Sequence, residues 1–269
     1  MQNTELIILG TGNATVTRCY NTCFALKRDN EILLVDAGGG NGILSQLEKA
    51  NIPLSDIHEI FVTHAHTDHI LGVIWMIRMI AQQMNKGKYD GILKVYGHDK
   101  VMEVLTTICQ LTLPKKILAH INKDIQLCEV HHADTFPSIG MNFQCFDIGS
   151  TKEKQYGFRT ILPDGKSFVC LGDEPYNEAN RSFVEGADWM LSEAFCLYED
   201  KDRFNPYEKH HSTALDAGKL AQQLRVKNLL LYHTEDKTIS TRREKYTTET
   251  KLHFSGNVFV PDDLEIITL

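Results

Sequence analysis

Ile60-Phe61-Val62-Thr63-His64-Ala65-His66-Thr67-Asp68-His69 reads as an apolar strand running into a dense set of metal donors. Three imidazoles and a carboxylate fall within six residues, and a long apolar run, Ile70 to Met79, follows at once. The pattern predicts a buried strand, a loop that delivers four candidate ligands, then a buried helix. A strand-end loop can fan side chains inward at mixed angles, and His with Asp is a donor set suited to a divalent metal. Pinned between two apolar segments, these groups would repel and be desolvated without compensation unless a cation lay among them.

The 269 residues suit one domain, expected to span 1–269. Hydrophobic residues make up 42% and charged residues 23%, as in a globular chain. With Asp and Glu at 35 against Lys and Arg at 28, the formal charge is −7, which argues against a broad nucleic-acid footprint. Seven scattered cysteines with no C-x-x-C pair predict reduced, mostly buried thiols and a cytoplasmic setting. Met1 leads straight into Gln2-Asn3-Thr4-Glu5, so no signal peptide is expected. The most apolar run is too short to span a membrane and carries Arg78, so no membrane partner is expected.

Outward from the histidine loop, Glu5 to Leu9 is a strand that breaks at Gly10-Thr11-Gly12. Thr22 to Lys27 and Glu31 to Val35 form a hairpin about Asp29-Asn30. The hairpin's second strand ends in Asp36-Ala37-Gly38-Gly39-Gly40, either a plain turn or a carboxylate set where backbone comes close to something. Residues 43–49 read as a helix, Ile92 to Gly97 as a strand, and His98 to Leu111 as a helix with one apolar face. Trp75, Met76 and Met79 read as core, and residues 112–135 carry no clear pattern. Strands follow near 141–148, 156–162 and 166–171, the last ending at Leu171-Gly172-Asp173. Asp188 to Ser192 is a strand before Glu193, Thr213 to Leu224 an amphipathic helix capped by Ser212 or Thr213, and Asn228 to Tyr232 a strand ending at His233. Short strands near 257–260 and 264–268 finish the chain. Every candidate ligand therefore sits at or just past a strand end. That implies an α/β fold of two sheets packed face to face, with helices outside and one rim carrying the site.

Asp36 in Leu33-Leu34-Val35-Asp36-Ala37-Gly38, the His64-x-His66-x-Asp68-His69 segment, Asp173 after Leu171-Gly172 and His233 after Leu230-Leu231-Tyr232 together resemble the metallo-β-lactamase superfamily. The resemblance spans Leu9 to the last strand. It implies an αββα sandwich of two mixed β-sheets with a two-metal site at the open edge. Leu9-Gly10-Thr11-Gly12-Asn13-Ala14, Tyr156-Gly157-Phe158-Arg159, Ser192-Glu193-Ala194-Phe195 and His211-Ser212-Thr213-Ala214 are similar to segments of the ribonuclease Z-like branch, whose chemistry is phosphodiester hydrolysis.

That resemblance implies the following roles. His64 and His66 hold the first metal; Asp68, His69 and His233 hold the second; Asp173 bridges them. Asp36 and Glu193 stand behind the ligands, and the chemistry falls to Asp68 and to His211, which protonates the leaving oxygen or stabilises developing charge. Two zinc ions are the family default, with manganese or iron as alternatives. The reaction implied is attack by metal-activated hydroxide. Two departures stand out. A further histidine of the branch is missing; strand alternation puts Ser150 or Thr151 in its place, so the first metal is expected to bind more weakly. His131 and His132 are the other imidazoles in reach of that role, though they fall one strand early. The glycine- and proline-rich arm of tRNA-processing members is also absent between Ser150 and Asp173. The expected substrate is therefore a small phosphodiester, cyclic or nucleotide-derived, with tRNA disfavoured. A tRNA 3′ endonuclease, hydrolysis of a carboxylic ester, thioester or lactam, and a non-enzymatic metal-binding protein with a degenerate first site are the competing functions. The branch includes homodimers, which leaves that state open.

Overall fold

The computed structural model describes residues 4–269; the reading of Met1 to Asn3 falls outside the described residues. Short runs of apolar, β-branched and aromatic residues between turn residues make the strands. The first sheet takes β1 (Glu5–Gly10), β2 (Cys23–Arg28), β3 (Glu31–Val35), β4 (Ile57–Phe61), β5 (Leu93–Gly97) and β6 (Ile125–Glu129). The second takes β7 (Thr135–Ser138), β8 (Met141–Asp147), β9 (Tyr156–Ile161), β10 (Ser167–Cys170), β11 (Trp189–Glu193), β12 (Asn228–Tyr232) and β13 (Asn257–Phe259). A last strand, β14 (Ile266–Thr268), returns to the first sheet, so the orders are β14-β1-β2-β3-β4-β5-β6 and β13-β12-β11-β10-β9-β8-β7. Strands β3 to β6 run parallel, as do β10 to β13. Parallel strands need crossovers, and these are the helices. They are α1 (Gly42–Lys49), α2 (Thr67–Met84), α3 (Asp99–Thr112) and α4 (Lys115–Leu118) on the first sheet; α5 (Arg181–Val184), α6 (Lys201–Phe204), α7 (Ala214–Gln223) and α8 (Arg242–Lys251) belong to the second.

Strand alternation sorts side chains into layers. In β1, Ile7 and Leu9 pack toward the helices with Val73 and Ile77, while Leu6 and Ile8 point to the other sheet. Between the sheets Phe61, Phe136, Phe143 and Phe158 close a ring of aromatic contacts with centroids 5.3 to 5.5 Å apart. Behind the second sheet, Val169, Leu229 and Leu231 meet Ala217, Ala221 and Tyr246 of α7 and α8. The result is the expected αββα sandwich.

Two local readings differ, and one helix falls where the sequence carries no apolar pattern. The patternless stretch 112–135 contains α4, β6 and the start of β7. Both strands are sheet edges; β6 is only partly buried, and β7 tolerates Pro137, so neither shows a clean apolar alternation. Helix α8 is polar almost all round, and only Arg242, Tyr246 and Thr250 turn inward. Trp75 is not core: it lies on the outer face of α2 with the Arg78 guanidinium 5.7 Å from its ring. Among the described residues no helix is long and apolar enough to cross a membrane. All seven cysteines are free thiols, five of them buried.

One close approach sets the position of α2. The Gly72 amide donates to Gly38 O at 2.8 Å, and a Cβ on Gly72 would stand 1.8 Å from Ala37 O. Helix α2 thus lies directly against the loop after β3, and both carry parts of the site. Gly72→Ala should destabilise the fold by about 2–3 kcal/mol, because the obstacle is backbone. Denaturant unfolding checks this, and an unchanged midpoint would contradict the packing described.

Candidate metal centre

The C-terminal ends of the parallel strands converge on one edge, where ligands of open α/β sheets collect. The loop after β4 brings Thr63 to Thr67, α2 opens with Asp68 and His69, Asp173 follows β10, and His233 follows β12. Asp36, after β3, fixes the first of these loops. Its carboxylate accepts from the Thr63 amide at 2.8 Å, the Thr63 hydroxyl at 2.7 Å and His69 Nδ1 at 2.8 Å. Since the Thr63 hydroxyl gives its proton to Asp36, it accepts from His64 Nδ1 at 2.9 Å. Both imidazoles then carry their proton on Nδ1 and present the Nε2 lone pair to the site.

These lone pairs are crowded together. His64 Nε2 lies 2.9 Å from His66 Nδ1. Asp173 Oδ2 lies 3.5 Å from His64 Nε2, 3.3 Å from His69 Nε2 and 3.3 Å from His233 Nε2. Asp68 Oδ2 is 3.3 Å from His69 Nε2 and 3.5 Å from His233 Nε2. Two donor groups result, Asp68-His69-Asp173-His233 and His64-His66-Asp173, with Asp173 common to both. His69 Nε2, His233 Nε2 and Asp173 Oδ1 are buried without any hydrogen-bond partner. Unpartnered buried nitrogen and oxygen atoms converging from both sheets fit divalent metal ions. Burial pushes Asp68 and Asp173 up, but the imidazoles around them outweigh it and hold both carboxyls well below their usual range, ionised as ligands must be.

His211 precedes α7, which Thr213 caps with Asp216 in a reciprocal capping box. Its ring is stacked on Phe195 at 4.8 Å and lies 5.1 Å from the His233 ring. Buried Glu193, at the end of β11, accepts from the Ser212 amide at 2.6 Å and sets its second oxygen 3.6 Å from His211 Nδ1. Burial lowers the pKa of His211, yet the Glu193 carboxylate beside it outweighs burial and raises it above the ordinary imidazole value.

The replacements considered for the missing histidine lie elsewhere. Ser150 Oγ accepts from the Lys152 and Glu153 amides, tying up the turn it sits in, and the Thr151 hydroxyl contacts His210 Nδ1 at 2.9 Å. Neither residue lines the cavity over the donor groups. His131 is exposed between Glu129 and Asp134, and His132 Nδ1 accepts from the Asp147 amide, so neither reaches the site. The first donor group thus keeps three members. Residues the sequence did not single out also gather here. Gln155 is fully buried, with its amide on Glu174 at 3.2 Å, and Asn13, Lys152, Phe195 and Lys209 line a cavity of about 500 Å³ over the metal donors. Asn13 and Phe195 fall within two of the segments quoted from the sequence, whereas Gln155, Lys152 and Lys209 fall in none; only the approach of loops from both sheets brings them together.

A family profile described as Anti-Pycsar protein Apyc1 matches residues 4–257. Among curated proteins, the Ribonuclease Z of Thermococcus sibiricus is 26% identical over 308 aligned residues, covering 98% of this chain and 96% of that one. The alignment is longer than this chain, so the relative carries segments that this chain lacks. Among solved structures, the metallo-β-lactamase fold protein YhfI from Bacillus subtilis matches with a TM-score of 0.79 at 20% identity, covering 98% of this chain and 99% of that one. The short form of human tRNase Z matches with a TM-score of 0.73 at 19% identity, covering 98% of each chain. These two share the fold.

Asp36→Asn keeps the shape of the anchor but weakens its hold on His69. Metal affinity at the Asp68-His69-Asp173-His233 group should fall about 10–100-fold. A chelator competition titration measures this; wild-type affinity in the variant would contradict the anchoring role.

Proposed function

The chain belongs to the Anti-Pycsar protein Apyc1 family, within the metallo-β-lactamase superfamily and its ribonuclease Z-like branch, and we propose that it hydrolyses a small, nucleotide-type phosphodiester. It is a metal-dependent hydrolase, acting on this reading as one domain. The observation that carries the proposal is Asp173 Oδ2, set within 3.5 Å of imidazole nitrogens from both donor groups. A shared carboxylate between two donor groups suits a pair of ions a few ångströms apart, and phosphoryl transfer is the chemistry such pairs favour.

In this proposal His64, His66 and Asp173 hold one ion, and Asp68, His69, Asp173 and His233 hold the other. Zinc is the proposed metal, with manganese or iron as alternatives that a mixed nitrogen and oxygen donor set also accepts. When bound, the ions would supply a nucleophile from water near neutral pH and hold the phosphate oxygens. His211 gives a proton to the leaving oxygen. Glu193 stands at its Nδ1 side, which leaves Nε2 for the substrate, and the carboxylate's charge favours the protonated ring that an acid needs. Phe195 covers one face of the His211 ring and limits its contact with water.

Three features support a small substrate. The cavity of about 500 Å³ has room for a nucleotide rather than a folded RNA. The hairpin from β9 to β10 turns at Pro163-Asp164-Gly165 with no arm inserted. The chain's net charge is negative. The second reading, a tRNA 3′ endonuclease, is favoured by the relatives named Ribonuclease Z.

Treatment with a chelator, or His66→Ala, should abolish hydrolysis of a cyclic nucleotide or an aryl phosphodiester. Full activity after either would refute the two-metal reading. His211→Ala should lower kcat about 10²–10⁴-fold with metal content unchanged. Faster cleavage of a precursor tRNA than of any small diester would favour the second reading.

A further inference from the structure

Two lysines on the cavity wall have no role in holding metal. Lys152, in the turn after β8, and Lys209, just before His211, line the same cavity as His66, Asp68, Asp173 and His233. The Lys152 ammonium donates to the Lys209 carbonyl, which ties the two loops together over the cavity mouth. The Lys209 ammonium lies 5.0 Å from the Phe195 ring centroid, and Phe195 is the ring stacked on His211. Both side chains are solvent-exposed, but these two contacts hold their ammonium groups on the side of the cavity where His211 stands. Lys152 is close enough to oppose protonation of His211, although Glu193 outweighs it.

Their surroundings make this placement informative. Some lysines of this acidic chain pair with carboxylates, such as Lys154 with Asp99, Lys166 with Asp164 and Lys227 with Asp188, and others stand unpaired; what sets Lys152 and Lys209 apart is that they are unpaired on the wall of the metal cavity. Among the described residues neither Lys152 nor Lys209 has a carboxylate within ion-pair distance. The acids that line the cavity, Asp68 and Asp173, belong to the metal donor groups. Two uncompensated ammonium groups at the wall of a metal cavity set up a positive field at its mouth, which favours an anion there.

We propose that Lys152 and Lys209 form an anion clamp, binding phosphoryl oxygens that the ions leave free and selecting anionic esters over neutral ones of similar size. This rests on the phosphodiester reading of the same site. A diester carries one negative charge and the monoester product two, so the clamp holds the product end of the reaction more strongly than the substrate. The two loops act jointly, because the Lys152 ammonium is anchored on the backbone of Lys209.

The test uses the metal-loaded full chain, with metal content verified by elemental analysis. Inorganic phosphate is titrated calorimetrically into wild type, Lys152→Met/Lys209→Met and Lys152→Arg/Lys209→Arg. Loss of two charge-assisted contacts should weaken phosphate binding about tenfold or more in the methionine variant, with metal content unchanged, and the arginine variant should keep most of it. The methionine variant's kcat/KM for an aryl phosphodiester should fall in parallel. Phosphate binding within twofold of wild type in the methionine variant would overturn the clamp. Should wild type hydrolyse no diester at all, the phosphodiester reading fails, while the phosphate titration still decides whether the lysines hold an anion.

Discussion

The structure depends on one constraint: buried lone pairs crowded together, those of His69 and His233 with no hydrogen-bond partner inside the chain. His64, His69 and His233 are almost wholly buried, and their Nε2 atoms crowd within 3.5 Å of a single oxygen of Asp173. In a dry interior such a group of acceptors is costly unless a cation lies among them. Asp36 makes the arrangement possible. By drawing the protons of Thr63 and His69 to itself, it fixes the tautomers and turns the lone pairs inward.

Holding the site open takes backbone strain. Asp36 and His233 both adopt left-handed backbone, with φ of 55° and 58°, where a non-glycine residue costs about 1 kcal/mol or more. Each is held from behind. Asp36 is locked by Thr63 and by α2 pressing on Ala37 and Gly38. Behind His233, the Thr234 amide donates to Thr11 O at 3.0 Å, and the buried Arg242 guanidinium spans the Thr11 and Thr234 hydroxyls. Arg242 also reaches Pro261 and Asp262, so the first and last segments of the chain brace the same histidine. The polar helix α8 is thus placed by what its buried arginine holds.

Much of this was legible in the sequence. The His64 to His69 segment announced a metal loop because strand, donors and helix follow one another without a gap. Asp173 and His233 were legible only as strand-end residues in the right order; their meeting depends on two sheets facing each other, which no local pattern encodes. Read from its own residues Asp36 could be a plain turn; the resemblance placed it behind the ligands, and its partners Thr63 and His69, far along the chain, could be seen only in the structure. Lys152, Lys209 and Gln155 were invisible, since loops from different parts of the second sheet must approach before they share a cavity. Ser150 and Thr151 were misplaced by extending strand alternation past Asp147, where the chain had already turned.

What remains is an uneven pair of donor groups, four members on the Asp68-His69 side and three on the His64-His66 side. The missing donor is not replaced by a nearby hydroxyl or imidazole, and the loop that lacks it brings Lys152 to the cavity instead. Metal stoichiometry tests this unevenness most directly. Protein purified without added metal would be titrated with a competing chelator while bound metal is counted by elemental analysis. Two ions of unequal affinity are predicted, the weaker lost first and absent from His66→Ala, the tighter retained in that variant and lost in His233→Ala. No bound ion, or two ions released together at one chelator concentration, would contradict it.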